Sequence, residues 1–475
     1  FLFNEAIHPA IVVRYSKNAP DGSTEKIEYW SPKANWMATH AEIVPVMPQD
    51  RVNLSLSAIL DNLNSEDAPQ IWKKAFWASQ RDQRLLDRLL LYPRLADRVQ
   101  RPKDKKANKN KPWQMAEGFQ PIGQNDNPDK AKTIELPSRR FIEATSKSID
   151  LFVLPNDTDK LDGNKIELRQ KSNTNTHVFK APHVLITKGF RRIAYADFDV
   201  SFRHALRGIH GPMEDRRLLI FVAAFLRSSL AQYLGFHISS NWGVYRPELH
   251  VEEVLRLPFP LPEHLDDEKR AWQIIDAVVQ RVEESITATK KNFLKRDFII
   301  EEANSQIDAL IEEYFDIHPL EKVLIDDTLN VIIPSIQPTL SQMPVATIRP
   351  STSAQQSAYT IGVCEILNRW SKQSGQAVRG TAHGSSTLGI GVVILEKVDA
   401  AQLDQPMETP HSEIVSILKR IQEAIPRQQQ SIDPIRGVMV FDNNRLYLTK
   451  PIGQLYWTQT AALNDADLIA GTILM

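Results

Sequence analysis

Residues 218–262 read LLIFVAAFLRSSLAQYLGFHISSNWGVYRPELHVEEVLRLPFPLP, and the spacing within them decides the fold. Apolar side chains recur at Leu218, Phe221, Val222, Phe225, Leu226, Leu230 and Tyr233. That period predicts one helix with one buried stripe. Gly211-Pro212 opens it, Glu214 and Asp215 occupy its first turn, and Gly235 stands just past its end. The following Phe236–Tyr245, rich in aromatic, Ser and Asn residues, suits a strand or hairpin. In Leu257–Pro262 three prolines alternate with apolar residues. No helix or central strand tolerates that, so an extended strap is expected.

Upstream, Val184–Ile186 and Ile193–Tyr195 read as buried strands joined by the turn Lys188-Gly189-Phe190-Arg191-Arg192. A turn carrying Lys188, Arg191 and Arg192 beside an aromatic suits contact with phosphates or bases. The alternative is an ordinary charged hairpin tip. Ser201–Gly211 reads as a connecting loop that clusters Arg203, His204, Arg207 and His210. Arginine grips guanine through paired hydrogen bonds, although these arginines have Glu214 and Asp215 nearby in sequence as structural partners. Beyond the helix stand Asn241, Trp242, Tyr245 and Arg246. Asparagine can read adenine, arginine guanine, and the aromatics can stack on a base. Trp242 taken singly reads better as core. His204 and His210 are six apart with no Cys near them, so no metal site is expected.

Earlier still, Ala10–Val13 reads as a short buried strand, with Ile27–Trp30 and Ile43–Val46 able to pair beside it. Residues 50–110 read as helical; Leu85, Leu86, Leu89 and Leu90 face one way, and Arg81, Arg84 and Arg88 the other. A basic run follows: Arg94, Arg98, Arg101, Lys103, Lys105, Lys106, Lys109 and Lys111. It suits phosphates or, equally, a solvated loop. Ile149–Leu154 and Asn164–Leu168 are candidate strands. Past the strap, Ala271–Lys290 and a stripe from Ile300 to Tyr314 give two helices, and Pro319 starts another. Val331–Arg349 is proline-punctuated and reads as a linker plus a strand. After it come a helix at Ser353–Ser371 with Val363, Ile366, Leu367 and Trp370 inward, strands at Ala377–Thr381 and Leu388–Lys397, and a helix at Ser412–Ile425. A hairpin of Gly437–Phe441 and Arg445–Thr449 turns at Asp442-Asn443-Asn444, and a last helix is capped by Asn464. Arg445, Lys450 and Trp457 are surface candidates for nucleic acid or a partner.

At 475 residues, 42% hydrophobic and 24% charged, the chain has room for about three ordinary globular domains. No apolar run spans a bilayer, so no membrane partner is expected. The single cysteine, Cys364, excludes an internal disulfide and points to a reducing, cytoplasmic setting. A net charge of -1 and a pI near 7.0 weigh against a dedicated nucleic-acid binder. They still allow basic residues confined to one face.

The helix, short hairpin and Leu-Pro-Phe-Pro strap resemble the closing half of a target-recognition domain from adenine-N6 DNA methyltransferases of restriction-modification or phage-defence type. Trp113 with Gly118-Phe119 resembles that domain's entry, and Ile307–Glu321 the helical segment that follows it. Phe1–Lys17 is similar to the end of the family's catalytic sheet, and Lys450–Asp467 to the C-terminal segment of large phage-defence methyltransferase-like proteins. The resemblance implies an α/β and α+β multidomain chain. Its parts are terminal strands of a methyltransferase-like sheet (1–50), a helical connector with the basic run (51–110), the target-recognition domain (111–262), a helical spacer (263–330) and a C-terminal α+β domain (331–475).

The family's Asn-Pro-Pro-aromatic motif is absent, and no glycine-rich turn follows a strand in the way a nucleotide loop requires. The resemblance therefore implies that S-adenosylmethionine binds a catalytic half outside this sequence, with the chain beginning just downstream of the active site. No cofactor is expected on these residues, and no catalytic residue is assigned. The expected partners are double-stranded DNA and a catalytic methyltransferase region or other defence subunits. The alternative reading is a non-catalytic scaffold subunit of a bacterial defence complex.

Overall fold

The computed structural model describes residues 13, 26–33, 46, 50–63, 65, 68–100, 111–243, 248–336, 345–371, 374–387, 389–403, 407 and 439–474. The chain is a mixed α/β, multidomain protein with several sheets. It forms two compact units. The first takes the described residues of Arg84–Pro319, and the second those of Val13–Gln83 and Leu320–Met475.

The first unit is built on a six-stranded sheet. Its strands lie in the order Val99–Gln100, Trp113–Glu117, Leu206–His210, His183–Thr187, Ile193–Ala196 and Leu151–Phe152. The central strand His183–Thr187 runs antiparallel to both neighbours and is buried along its whole length. Strands closed on both faces are continuous apolar runs, which is why His-Val-Leu-Ile-Thr shows no alternation. Ser201–Gly211 is not the expected loop: Ser201–Phe202 and Leu206–His210 are strands, and the second lies beside the central one.

The helix Arg216–Arg227 packs on this sheet. Every residue from Leu218 to Leu226 is buried, in place of the single stripe that was expected. A helix apolar all round needs cover on every side, and the helix Glu268–Lys291 also packs against it. It also ends earlier than its apolar period suggests. Ser228 donates to the Phe225 carbonyl (2.7 Å) and accepts from the Ala231 amide (3.2 Å), stopping one helix and capping the next. Ser229 donates to Asp308 through both its amide and its hydroxyl (3.1 and 2.7 Å). The chain bends by 67° there and continues as Ser229–Ile238. Phe236–Ile238 is therefore helical, not strand. Gly235 lies inside that helix; a Cβ there would stand 3.1 Å from Leu249. Among the described residues no single helix is long and apolar enough to cross a membrane, and only this bent pair approaches it.

The strap is extended as expected. Phe259 donates to Pro93 (2.7 Å), Leu95 to Leu257 (2.9 Å), and the Tyr314 hydroxyl to Pro260 (2.8 Å). Phe259 packs among Trp113, Phe221 and Phe225. Gly118 closes the strand Trp113–Glu117 where a Cβ would stand 2.2 Å from the Phe202 carbonyl oxygen. The helices Glu268–Lys291 and Arg296–Tyr314 form an antiparallel hairpin, and Pro319 opens the next helix.

The second unit holds a four-stranded antiparallel sheet ordered Gln376–Ser385, Ile390–Asp399, Arg445–Pro451, Met439–Asp442. Ser353–Ser371 and Gln459–Leu474 share its core. Asn443 turns the hairpin with φ +56°, as its side chain permits. Several expectations fail here. Arg51–Ser55 is a strand paired with Lys26–Trp30, and not helical. Trp370 is exposed. The last helix begins at Gln459, which puts Asn464 within it and not at its cap. Ile333–Ile336 is helical and 346–348 is a turn, so the described part of the linker holds no strand. The expectations for 10–12, 43–45, 101–110 and 408–438 lie outside the described residues.

Two predictions test this core. His183 is wholly buried, its ring nitrogens 2.8 Å from the Val178 carbonyl and 3.2 Å from that of Phe198. Burial drives its pKa from 6.5 down to about 4. The unfolded chain then binds the extra proton, so the stabilisation is complete above pH 6.5 and is lost as pH falls toward 4. Its size is on the order of 3 kcal/mol. Urea unfolding across that window should be steeper in pH for the wild type than for His183→Gln; parallel curves would refute the assignment. Gly118→Ala should destabilise the first unit by about 3 kcal/mol, because backbone and not a yielding side chain blocks the Cβ.

Candidate nucleic-acid interface

Three strands of the large sheet bring their ends together where His183–Thr187 finishes, Leu206–His210 starts and Trp113–Glu117 finishes. The turn 188–192 is locked at this end. Thr187 Oγ1 donates to the Arg192 carbonyl (3.1 Å) and accepts from the Arg192 amide (3.2 Å). Phe190 takes φ +54° and buries its ring completely, while its carbonyl accepts from Gln232 (2.7 Å). Phe190 is therefore an anchor for the turn and not a base contact.

Four cations stand around this end. Lys188 lies 3.1 Å from Glu117. Arg203 lies 3.6 Å from Glu143 and over the Phe141 ring. Arg191 is exposed and forms no ion pair among the described residues. Arg169, which the sequence reading passed over, lies 3.8 Å from Asp126. Its charge, with those of Lys188 and Arg203, acts on His204. Burial first, then the Lys188 charge, lowers the His204 pKa from the ordinary imidazole value. Its Nδ1 is buried without a hydrogen-bond partner among the described residues. Only its fold contacts mark Arg169: its amide bonds Gln120, beside the bridge of Phe119 with Arg203.

The remaining predicted residues divide sharply. Arg192 donates to the Thr145 and Ser146 carbonyls (2.9 and 2.8 Å), which makes it a clamp on the neighbouring loop. Arg207 is 1% exposed and bonds the Leu249 carbonyl, with Glu117 and Glu248 each 3.7 Å away. It lies on a central strand facing inward, so it is removed from the set of DNA contacts. Trp242 is buried against Phe236 and is also removed. Asn241 is half-buried and bonded to His250 (2.8 Å). Tyr245 and Arg246 lie outside the described residues. In the second unit, Arg445 pairs with Glu396 (2.9 Å), and Trp457 is buried and donates to Pro451 (2.9 Å). Lys450 is buried against Asp465 and the Tyr359 ring, lining a cavity of about 200 Å³. None of these three is a free surface contact.

Chemically, the sheet end offers cations whose carboxylate partners are half-exposed and mostly distant. Such pairs are worth about 0–1 kcal/mol each, so a phosphate oxygen can displace the carboxylate. Arg207 is the opposite case, since removing it leaves the carbonyl of buried Leu249 without its donor.

No protein-family model matches this chain, and no curated protein does. Among solved structures it is similar to the type IIG restriction endonuclease BpuSI, at 10% identity and a TM-score of 0.28, over 58% of this chain and 37% of that one. It is also similar to a chain of a type I R-M system, at 14% identity and a TM-score of 0.19, over 55% and 56%. A third likeness is to the HsdS subunit from Thermoanaerobacter tengcongensis, at 14% identity and a TM-score of 0.19, over 56% and 60%. The chain thus spans between 37% and 60% of those chains' lengths. At TM-scores this low the likenesses carry no argument about activity.

Arg207→Met should lower unfolding stability by about 2 kcal/mol, because the carbonyl of buried Leu249 loses its donor. Lys188→Gln should change it by less than about 1 kcal/mol. Urea titration of the two variants checks the contrast; equal effects would place Lys188 in the fold's support.

Proposed function

We propose that the first unit is the DNA-reading part of an adenine-N6 DNA methyltransferase of restriction-modification or phage-defence type, working on duplex DNA in the cytoplasm. One observation carries the reading: Lys188, Arg191 and Arg203 stand together at one end of one sheet, with weak partners or none. The ordered resemblance of entry segment, strap and helical spacer supports it. In this reading the three cations hold phosphates and set the register of the duplex, with Arg169 beside them. Asn241 and His204 are the polar side chains this reading would assign to base edges. The target adenine leaves the stack for a catalytic region on residues outside this sequence or on another subunit. That region supplies S-adenosylmethionine chemistry, and no residue of this chain is assigned to hold the cofactor.

A scaffold role is the second reading. It draws on Glu117 and Glu143, which face Lys188 and Arg203 and reduce the local positive potential.

Binding of the full chain to duplex DNA over rising salt separates the two. The proposal expects log affinity to fall linearly with log salt. Replacing Lys188, Arg191 and Arg203 together by Gln should reduce that slope by about 2 to 3. An absence of binding even at low salt, with the catalytic partner supplied, rejects it.

A further inference from the structure

The hairpin of Glu268–Lys291 and Arg296–Tyr314 turns through six consecutive exposed residues, 290–295. Within and just after that turn, Phe293 is 57% exposed, Leu294 96% and Phe298 66%. Lys290, Lys291 and Lys295 flank them, with Asp297 beside Phe298 and Glu301 and Glu302 one turn further on. Lysines in a helix's last turn suit its dipole. Phe293 has Arg296 over its ring (5.9 Å to the centroid), but Leu294, almost fully exposed, has no such account.

The tip is firmly rooted. Arg296 is buried; it donates to Asp157 (2.7 Å), to the Ser148 carbonyl (2.9 Å) and to the Phe152 carbonyl (2.7 Å). The same loop receives Arg192 through the Thr145 and Ser146 carbonyls. The apolar tip and the cationic turn 188–192 therefore stand on one short loop, 145–148, of the same unit.

We infer that this tip is a second DNA contact: Phe293 and Leu294 form an apolar wedge at a base step, and Lys290, Lys291 and Lys295 take the flanking phosphates. The inference rests on the DNA-reading function proposed above. The area favours DNA as the occupant. A stable protein interface takes about 800 Å² from each partner, far more than two side chains and a phenylalanine one turn on provide. A wedge of Phe or Leu between lysines suits partial unstacking of a duplex.

The test uses the full chain and relaxed closed-circular plasmid treated with topoisomerase, together with duplex binding over a salt series. Wild type should shift the topoisomer distribution, because a wedge unwinds the helix. Phe293→Ser with Leu294→Ser should abolish the shift and weaken binding about tenfold while leaving the circular-dichroism spectrum unchanged. Replacing Lys290, Lys291 and Lys295 by Gln should lower the salt slope by about 2 to 3. If both variants bind and unwind like wild type, the tip has no part in DNA contact, though the cationic turn keeps its role. If wild type itself never binds DNA, the parent reading falls. Tip-dependent binding to phosphatidylserine vesicles without any tip-dependent DNA effect would overturn the inference in favour of a membrane surface.

Discussion

Burial of Leu218–Leu226 in the helix Arg216–Arg227 is the constraint on which the first unit depends. Nine consecutive side chains, Leu218 to Leu226, are shut away from water. Burying a large apolar side chain is worth roughly 1.5–3 kcal/mol, so a sheet on one side and a helix on the other are both required. The polar ends of the helix tie those layers down. Arg216 reaches Glu283 (2.6 Å) and Arg217 pairs with Asp276, both on the long helix Glu268–Lys291. Arg227 pairs with Asp150 beside the sheet and bonds Asn304 on the next helix (3.0 Å). Sheet and hairpin are thereby set around one rod, and the turn 188–192 and the hairpin tip take their places from it.

The cations at the end of the sheet are locally balanced. A dedicated phosphate-binding surface is normally unpaired and basic. Here Lys188, Arg203 and Arg169 each face a carboxylate. Half-exposed pairs at 3.1–3.8 Å cost little to break. They lower the resting potential of the surface. The buried ions do different work. Arg207 and Arg296 satisfy strand and loop carbonyls that would otherwise lie unpaired away from water.

Much of the fold was legible in local pattern. The strands at 183–187 and 193–196, the strap, the hairpin helices, Pro319 as a helix start and Asn443 as a turn residue all follow from periodicity and backbone chemistry. The candidate site was legible only in part. Lys188 and Arg203 both act on His204, and Arg191 is exposed in the adjoining turn, but Arg207, four residues from Arg203 and chemically identical, is buried. No local signal separates them: strand alternation assigns faces only once the segment is known to be a strand, and its arginines and glycines made it read as a loop. Trp242 and Phe190 were hidden in the same way, since an aromatic beside a cation reads alike whether it is wet or buried.

Taken alone, the amino-acid order determined the kinds of element, the apolar rod, the extended proline strap, and the absence of an Asn-Pro-Pro catalytic motif from these residues. Each is a matter of a few neighbours along the chain. Tertiary structure decided which arginines are buried struts and which stay exposed, why the long helix breaks at Ser228, and that loop 145–148 joins a cationic turn to an apolar tip more than a hundred residues away in the sequence. Those outcomes depend on burial and on partners distant along the chain, Glu117 for Arg207 and Asp308 for Ser229. Only the folded chain brings such groups within a few ångströms.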